Sequence, residues 1–306
     1  MKSEKTYVVL FGSSGFIGGN LYRKFNKCNN YDISGYSSSA CNLFYLDEVN
    51  HVFSKIDGDF VVILTSAITR LKANSYDSMI KNILMVENIC RAIPRENVKQ
   101  IMFMSTIDVY GVNIGINEII NEALLPNPSD YYSVSKAISE YLLKMYCTKY
   151  SIPLLILRMP GVYGYGDNFK STIGMMIKNA FDKKEIGVFG KGENMRDFVL
   201  VDDLYNILTY AIMNKINGLV NITSGKSLSI NEIAKLIREL HPFSVNIKHF
   251  PEKKRAEKRV KNLIFDSSMF KATFNNIQMT AHEQGISVYI HSINDDLERN
   301  SPIDSF

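Results

Sequence analysis

Apolar residues recur along this chain in two alternating rhythms. Short continuous runs, with Tyr7-Val8-Val9-Leu10-Phe11 the first, predict buried strands over residues 6–11, 32–36, 60–65, 100–105 and 153–158, and a later one near 219–222. Between them the spacing lengthens to the helical period. Residues 16–27 carry Phe16, Ile17, Leu21 and Phe25 at helical spacing, with basic residues toward the end. Residues 75–92 make a second such stretch, and residues 132–150 gather Ile138, Tyr141, Leu142 and Met145 on one side. Fully apolar strands separated by helices predict an α/β fold, a doubly wound parallel sheet covered on both faces. The C-terminal third is less regular and more charged, which predicts a smaller, mixed α/β lobe.

Two motifs add candidate chemistry. Gly12-Ser13-Ser14-Gly15-Phe16-Ile17-Gly18 follows the first strand and opens the first helix. A chain that turns tightly there, brings its backbone up to a pyrophosphate and aims helix N–H groups at it needs a missing side chain at each step. Farther on, Tyr132-Ser133-Val134-Ser135-Lys136 sets a phenol and an ammonium one helical turn apart on the same face. A free phenol titrates near about pH 10, and a nearby cation favours phenolate, drawing that value toward the working pH. Together the motifs point to a dinucleotide-dependent redox enzyme.

Composition narrows the partners. With 306 residues, 46% of them apolar, the chain can bury a large core as one domain or two. A net charge of +4 without a basic stripe interleaved with aromatics argues against nucleic acid, and the run Lys253-Lys254-Arg255 with Lys258-Arg259 fits a solvated face or a phosphate contact. No apolar stretch reaches about 18 residues, and Met1-Lys2-Ser3-Glu4-Lys5 leads into a strand instead of a signal segment, so the expectation is a cytoplasmic protein without membrane association. Cys28, Cys41, Cys90 and Cys147 lack paired metal spacing and are expected as free thiols. The five histidines form no ligand motif, and no metal is expected.

Four ordered blocks carry a family resemblance: the glycine turn, Phe103-Met104-Ser105-Thr106-Ile107-Asp108-Val109-Tyr110-Gly111, Leu157-Arg158-Met159-Pro160-Gly161-Val162-Tyr163-Gly164, and Gly190-Lys191-Gly192-Glu193-Asn194-Met195-Arg196-Asp197-Phe198-Val199-Leu200-Val201-Asp202-Asp203. Over about residues 6–270 the chain resembles an extended short-chain dehydrogenase/reductase of the NAD(P)-dependent nucleotide-sugar epimerase/dehydratase/reductase group. The resemblance implies a Rossmann-type dinucleotide-binding domain over residues 1–165 plus about 198–225, and a substrate-binding lobe over about 166–197 and 226–306. It implies a nucleotide-diphosphate sugar as substrate, and a homodimer. Thr106, Tyr132 and Lys136 become the catalytic residues, Lys136 also holding the nicotinamide ribose. The implied cofactor site comprises Gly12, Gly15, Phe16, Ile17, Gly18, Ser37, Asn42, Leu43, Thr65, Ala67, Tyr132, Lys136, Pro160 and Val162. Arg196 is expected on the diphosphate, because a guanidinium pairs bidentately with phosphate oxygens, with Arg255 as a second contact and Asp108 toward the sugar.

Departures from the family pattern bear on the reaction. Dehydratases of the group place titratable groups just after the catalytic threonine; here Ile107 cannot titrate and Asp108 has a shorter reach, which disfavours 4,6-dehydration. NAD-dependent members usually end the second strand with an acid for the ribose hydroxyls, whereas this chain reads Tyr36-Ser37-Ser38-Ser39. Serine hydroxyls can donate to a 2′-phosphate, so NADP(H) is favoured slightly over NAD(H). A reductase exchanges its cofactor every turnover, and the reading preferred is reduction of a 4-keto nucleotide-linked deoxy-sugar. The alternative is an NAD-dependent 4-epimerase. A non-catalytic dinucleotide sensor would keep the glycine turn and lose the tyrosine or lysine, and this chain has both. Gly161 stands where many members carry an asparagine to the diphosphate.

Overall fold

A computed structural model describes residues 5–112, 118–251 and 262–300, apart from the side chains of 297–300. Its strands in chain order are β1 (Thr6–Phe11), β2 (Tyr31–Tyr36), β3 (Phe60–Leu64), β4 (Val98–Thr106), β5 (Leu154–Met159), β6 (Gly161–Tyr163), β7 (Glu185–Phe189), β8 (Met195–Arg196), β9 (Phe198–Leu200), β10 (Gly218–Asn221), β11 (Leu228–Ser229) and β12 (Asn246–Phe250). The helices are α1 (Phe16–Lys27), α2 (Leu46–Phe53), α3 (Tyr76–Ala92), α4 (Tyr131–Tyr150), α5 (Thr172–Lys183), α6 (Asp203–Met213), α7 (Ile230–Leu240), α8 (Ser268–Thr273) and α9 (His282–Asn300).

Six strands make one parallel sheet in the order β10-β5-β4-β3-β1-β2, the Rossmann-type arrangement expected from the alternating pattern. Strand β3 is apolar and buried throughout because both faces of the sheet are covered. Val8, Leu10, Ile63 and Met104 join Leu21 and Phe25 of α1 and Leu204 and Ile207 of α6 in one core. Val9, Phe11, Val62 and Phe103 join Val49 of α2, Val86 of α3 and Leu143 of α4 in the other. A third core lies outside the sheet, where Ile173 and Ile177 of α5, Ile186 and Val188 of β7, Ile233 and Ile237 of α7 and Ile286 and Ile290 of α9 pack together.

The chain leaves β1 for β2 on one side and then crosses to β3 on the other. That reversal opens a crevice beyond the carboxyl ends of the strands, the usual ligand position in such sheets. Helix starts around it are set locally. Asp130 caps α4 by accepting from Ser133 N at 2.8 Å while Ser133 Oγ accepts from Asp130 N at 3.2 Å, and Ser75 with Ser78 makes the same reciprocal cap on α3.

Helix α4 is also tied to the sheet by a buried ion pair. Arg158 of β5 donates from Nη2 and Nε to the two Glu140 oxygens at 2.7 and 3.1 Å, and Ser105 Oγ of β4 donates to Glu140 Oε1. Both charged side chains are 3% exposed or less, so neither can exchange its partner for water. The guanidinium lies 4.7 Å from the Tyr110 ring centroid, and Tyr110 OH donates to Asn221 Oδ1 at 2.7 Å, extending the network to β10. Removing one partner strands a buried charge. Arg158→Met should therefore destabilise the protein by about 3–5 kcal/mol, and Arg158→Met combined with Glu140→Leu should recover most of that loss in urea unfolding.

Candidate active site

The first half of the site is the glycine turn. Gly12 has φ +92°, a conformation that side chains rarely adopt, and its N–H and that of Ser13 donate to Tyr36 O at 2.8 and 3.2 Å. A Cβ on Gly18 would stand 2.1 Å from Gly12 O and 2.7 Å from Thr65 Oγ1, so helix and strand approach too closely for any side chain there. Thr65 Oγ1 itself donates to Phe11 O at 2.7 Å, stitching β3 to the end of β1. Gly15 differs from both. It is exposed, has φ −77°, and a Cβ on it would meet only Gly12 O at 3.3 Å. The space above it is open, as a bound pyrophosphate requires. No side chain caps α1 and no acid stands in its first turn, leaving the N–H groups of Phe16, Ile17 and Gly18 for an anion. These residues fit a dinucleotide.

Ser37 follows β2, its Oγ 2.8 Å from that of Ser39 and accepting from Ala40 N at 3.2 Å. Asn42 and Leu43 follow on the same connection. Asn42 Oδ1 accepts from Phe44 N, and the buried Leu43 is anchored through its carbonyl by Asn88 Nδ2 at 2.9 Å. Ala67 lies partly buried on the segment after β3.

The second half is a cleft of about 310 Å³ whose lining includes Thr106, Asp108, Asp130, Pro160, Arg196 and Phe198. Thr106 is the last residue of β4. Its Oγ1 accepts from Asp108 N at 3.2 Å, capping the short 3-10 turn Ile107–Tyr110 and leaving the hydroxyl proton free to be donated elsewhere. Tyr132 and Lys136 lie on α4, one turn apart as expected. Lys136 is buried, 4.5 Å from the Phe103 ring centroid, and donates to Met104 O at 2.7 Å; burial lowers its pKa to about 8, opposed by the Glu140 carboxylate. The phenol departs from expectation. Burial, and after it the Asp108 carboxylate, push the Tyr132 pKa above the ordinary tyrosine value, with Asp130 adding to the rise. The cation that opposes them is Arg70. The downward shift expected from the Lys136 ammonium runs the other way, because burial and two carboxylates bear on the phenol while the ammonium is turned to Met104 O.

Arg196 enters the cleft from β8, its Nη1 donating to Met195 O at 2.7 Å. The next residue fixes it: the buried Asp197 accepts from Thr223 Oγ1, Ser224 Oγ and Ser224 N, binding β8–β9 to the segment after β10. Pro160 lines the cleft, whereas Val162 packs in the sheet core in β6, paired with Val199 of β9. A Cβ on Gly161 would come 2.5 Å from Phe198 Cδ1, so the Phe198 ring fills the space that the family's asparagine would need. Arg255 lies outside the described residues.

Two cleft residues were not anticipated. Arg70, on the connection after β3, reaches Asp108 at 3.1 Å and Asp130 at 3.3 Å. Asp130 had a sequence signal in its Asp-x-x-Ser cap spacing; Arg70, a loop residue, had none. Among the described residues no group of three or more His, Cys, Asp or Glu side chains could hold a metal ion, and no helix is long and apolar enough to cross a membrane.

A parallel sheet with a glycine turn at its switch point, a cleft lined by Thr106 and Arg196, and Tyr132 and Lys136 one turn apart on the adjoining helix define a nicotinamide-dependent enzyme of the short-chain dehydrogenase class. The chain belongs to the NAD dependent epimerase/dehydratase family, whose model matches residues 8–223. It is 28% identical over 248 residues to GDP-6-deoxy-D-talose 4-dehydrogenase of Aggregatibacter actinomycetemcomitans, covering 79% of this chain and 82% of that protein. In fold it resembles UDP-glucose 4-epimerase of Thermus thermophilus in complex with NAD, with a TM-score of 0.81, 17% identity, and 94% and 99% of the two chains covered. It also resembles RMD of Pseudomonas aeruginosa complexed with NADPH, with a TM-score of 0.80, 17% identity, and 94% and 98% covered.

The glycines should separate by substitution. Gly15→Val should abolish cofactor uptake in titration calorimetry while leaving thermal unfolding close to native, whereas Gly18→Val should lower the unfolding temperature because the displaced atoms are backbone. Retained cofactor affinity in Gly15→Val would reduce the glycine run to a structural turn.

Proposed function

We propose that the protein is an NAD(P)H-dependent reductase of the 4-keto group of a nucleotide-diphosphate deoxy-sugar. The observation that carries this reading is geometric: the glycine turn is joined to a phenol and an ammonium one turn apart on α4, with Thr106 closing the neighbouring strand β4. A phenol holds its proton at neutral pH, the form needed to protonate the alkoxide formed as a ketone is reduced. With Ile107 after Thr106, the adjacent position has no titratable group for dehydration. A relative named as a 4-dehydrogenase of a GDP-6-deoxy sugar supports action at the same carbon.

The residues divide the work as follows. The turn at Gly12, Gly15 and Gly18 and the N–H groups of Phe16 and Ile17 take the cofactor pyrophosphate. Ser37, Asn42 and Leu43 take its adenosine end, Thr65 and Ala67 flank its middle, and Pro160 stands toward the nicotinamide. When bound, the reduced nicotinamide supplies the hydride. Lys136 takes the nicotinamide ribose, Thr106 orients the keto oxygen with its free hydroxyl proton, and Tyr132 delivers the proton to that oxygen. Arg196 holds the substrate diphosphate, with Arg255 as its second contact, and Asp108 faces the sugar.

The serines after β2 favour NADP(H) by donating to a 2′-phosphate. We place the dinucleotide-binding domain at residues 1–165 plus about 198–225 and the substrate lobe at about 166–197 and 226–306. The protein acts in the cytoplasm. It acts as a homodimer, which is supported by exposed apolar residues on two adjacent helices, Tyr76, Ile80 and Leu84 of α3 with Tyr141 and Met145 of α4.

Loss of the phenol should lower turnover by about 10²–10⁴ in Tyr132→Phe while cofactor binding stays near native; near-native turnover would remove Tyr132 from proton transfer. Lys136→Met should reduce both turnover and cofactor affinity. Ser37→Asp should raise the KM for NADPH and move kcat/KM toward NADH, by repelling a 2′-phosphate and offering the NAD ribose an acceptor. A native preference for NADH, or an unchanged ratio, would overturn the NADP(H) assignment and favour the 4-epimerase.

A further inference from the structure

Three charged groups from three places in the fold meet in the cleft at the start of α4, where Tyr132 lies. Asp108 comes from the 3-10 turn after β4, Asp130 is the N-cap of α4, and Arg70 comes from the connection after β3. The Arg70 guanidinium contacts both carboxylates from one nitrogen, Nη1, at 3.1 Å to Asp108 Oδ2 and 3.3 Å to Asp130 Oδ2. Asp130 is otherwise committed to its cap: its Oδ1 accepts from Ser133 N and Ser133 Oγ, both at 2.8 Å. Lys136 is turned to Met104 O and the Phe103 ring.

We propose that Arg70 is a positioning residue of the proton-transfer site: it pins the Asp108 and Asp130 carboxylates beside Tyr132 and offsets their charge at the phenol oxygen. Two carboxylates without a cation would disfavour the phenolate that remains once the proton is given up, making Tyr132 a poorer donor. Arg70 supplies the compensating charge from outside the catalytic helix, through an exposed side chain whose replacement leaves the core untouched. Against burial, which raises it, the Ser133 bonds and after them the Arg70 contact hold the Asp130 carboxyl below the usual carboxylate range. The catalytic consequence rests on the reductase reading; the electrostatic one does not.

Both are tested on the intact protein. With 13Cγ-labelled aspartate, the Asp130 resonance, assigned by Asp130→Asn, should titrate at higher pH in Arg70→Gln than in the native chain. An unchanged midpoint overturns the proposal whatever the enzyme's substrate. In turnover of 4-keto nucleotide sugars, Arg70→Gln should lower kcat on the order of 10-fold, the equivalent of about one pKa unit of donor strength, with the cofactor KM unchanged. Arg70→Lys should restore part of it. Adding Asp130→Asn to Arg70→Gln should also restore kcat, because it removes an uncompensated carboxylate while asparagine still caps the helix. A loss that Asp130→Asn leaves in place or deepens would show that Arg70 only holds its loop, and would overturn the proposal. If the native enzyme turns over none of these sugars, the reductase reading fails and the aspartate titration alone decides the role of Arg70.

Discussion

The site depends on one buried carboxylate. Glu140 lies on α4 one turn beyond Lys136, and by accepting from Arg158 of β5 and Ser105 of β4 it fixes the catalytic helix against two neighbouring strands at once. Ser105 is followed by Thr106, and Arg158 stands two residues before Pro160, so the same contact sets where the threonine hydroxyl and the cleft wall lie relative to Tyr132 and Lys136. Replacing this pair by apolar packing could serve stability equally well. It could not define the helix register so sharply, because a bidentate guanidinium accepts one arrangement of partners.

Around that anchor, two surfaces share the carboxyl edge of the sheet. The glycine turn offers N–H groups with no side chain to compete, which suits a pyrophosphate. The cleft offers Arg196 toward a diphosphate and a cluster of two carboxylates and one guanidinium near the phenol. Burial and the two carboxylates raise the Tyr132 pKa, and the guanidinium opposes them.

The sheet could be read from the sequence because buried parallel strands leave an unambiguous mark: continuous apolar runs such as Phe60–Leu64 have no exposed face to interrupt them. Strand and helix limits fell within two residues of the periodicity for the same reason. The roles of Gly12 and Gly18 were also legible, since backbone strain and close approach act through the missing Cβ itself. The phenol's electrostatics were not. They depend on which charges the fold delivers, and Arg70 reaches Asp108 and Asp130 from a loop that carries no periodic signal. The reason for Gly161 was hidden likewise, because it lies in the Phe198 ring of a strand distant in sequence. Arg196 could be picked out by its block, but what holds it, the buried Asp197 bound by Thr223 and Ser224, is a contact between segments that only the fold brings together.

The most direct measurement follows the hydride. Incubation of the purified protein with nicotinamide cofactor deuterated at the transferring position and a 4-keto-6-deoxy nucleotide sugar should yield a product carrying one deuterium at C4, with one reduced cofactor consumed for each sugar formed. A product free of deuterium, formed without net consumption of reduced cofactor, would contradict the reductase account and assign the cleft to an internal oxidation and reduction at the same carbon.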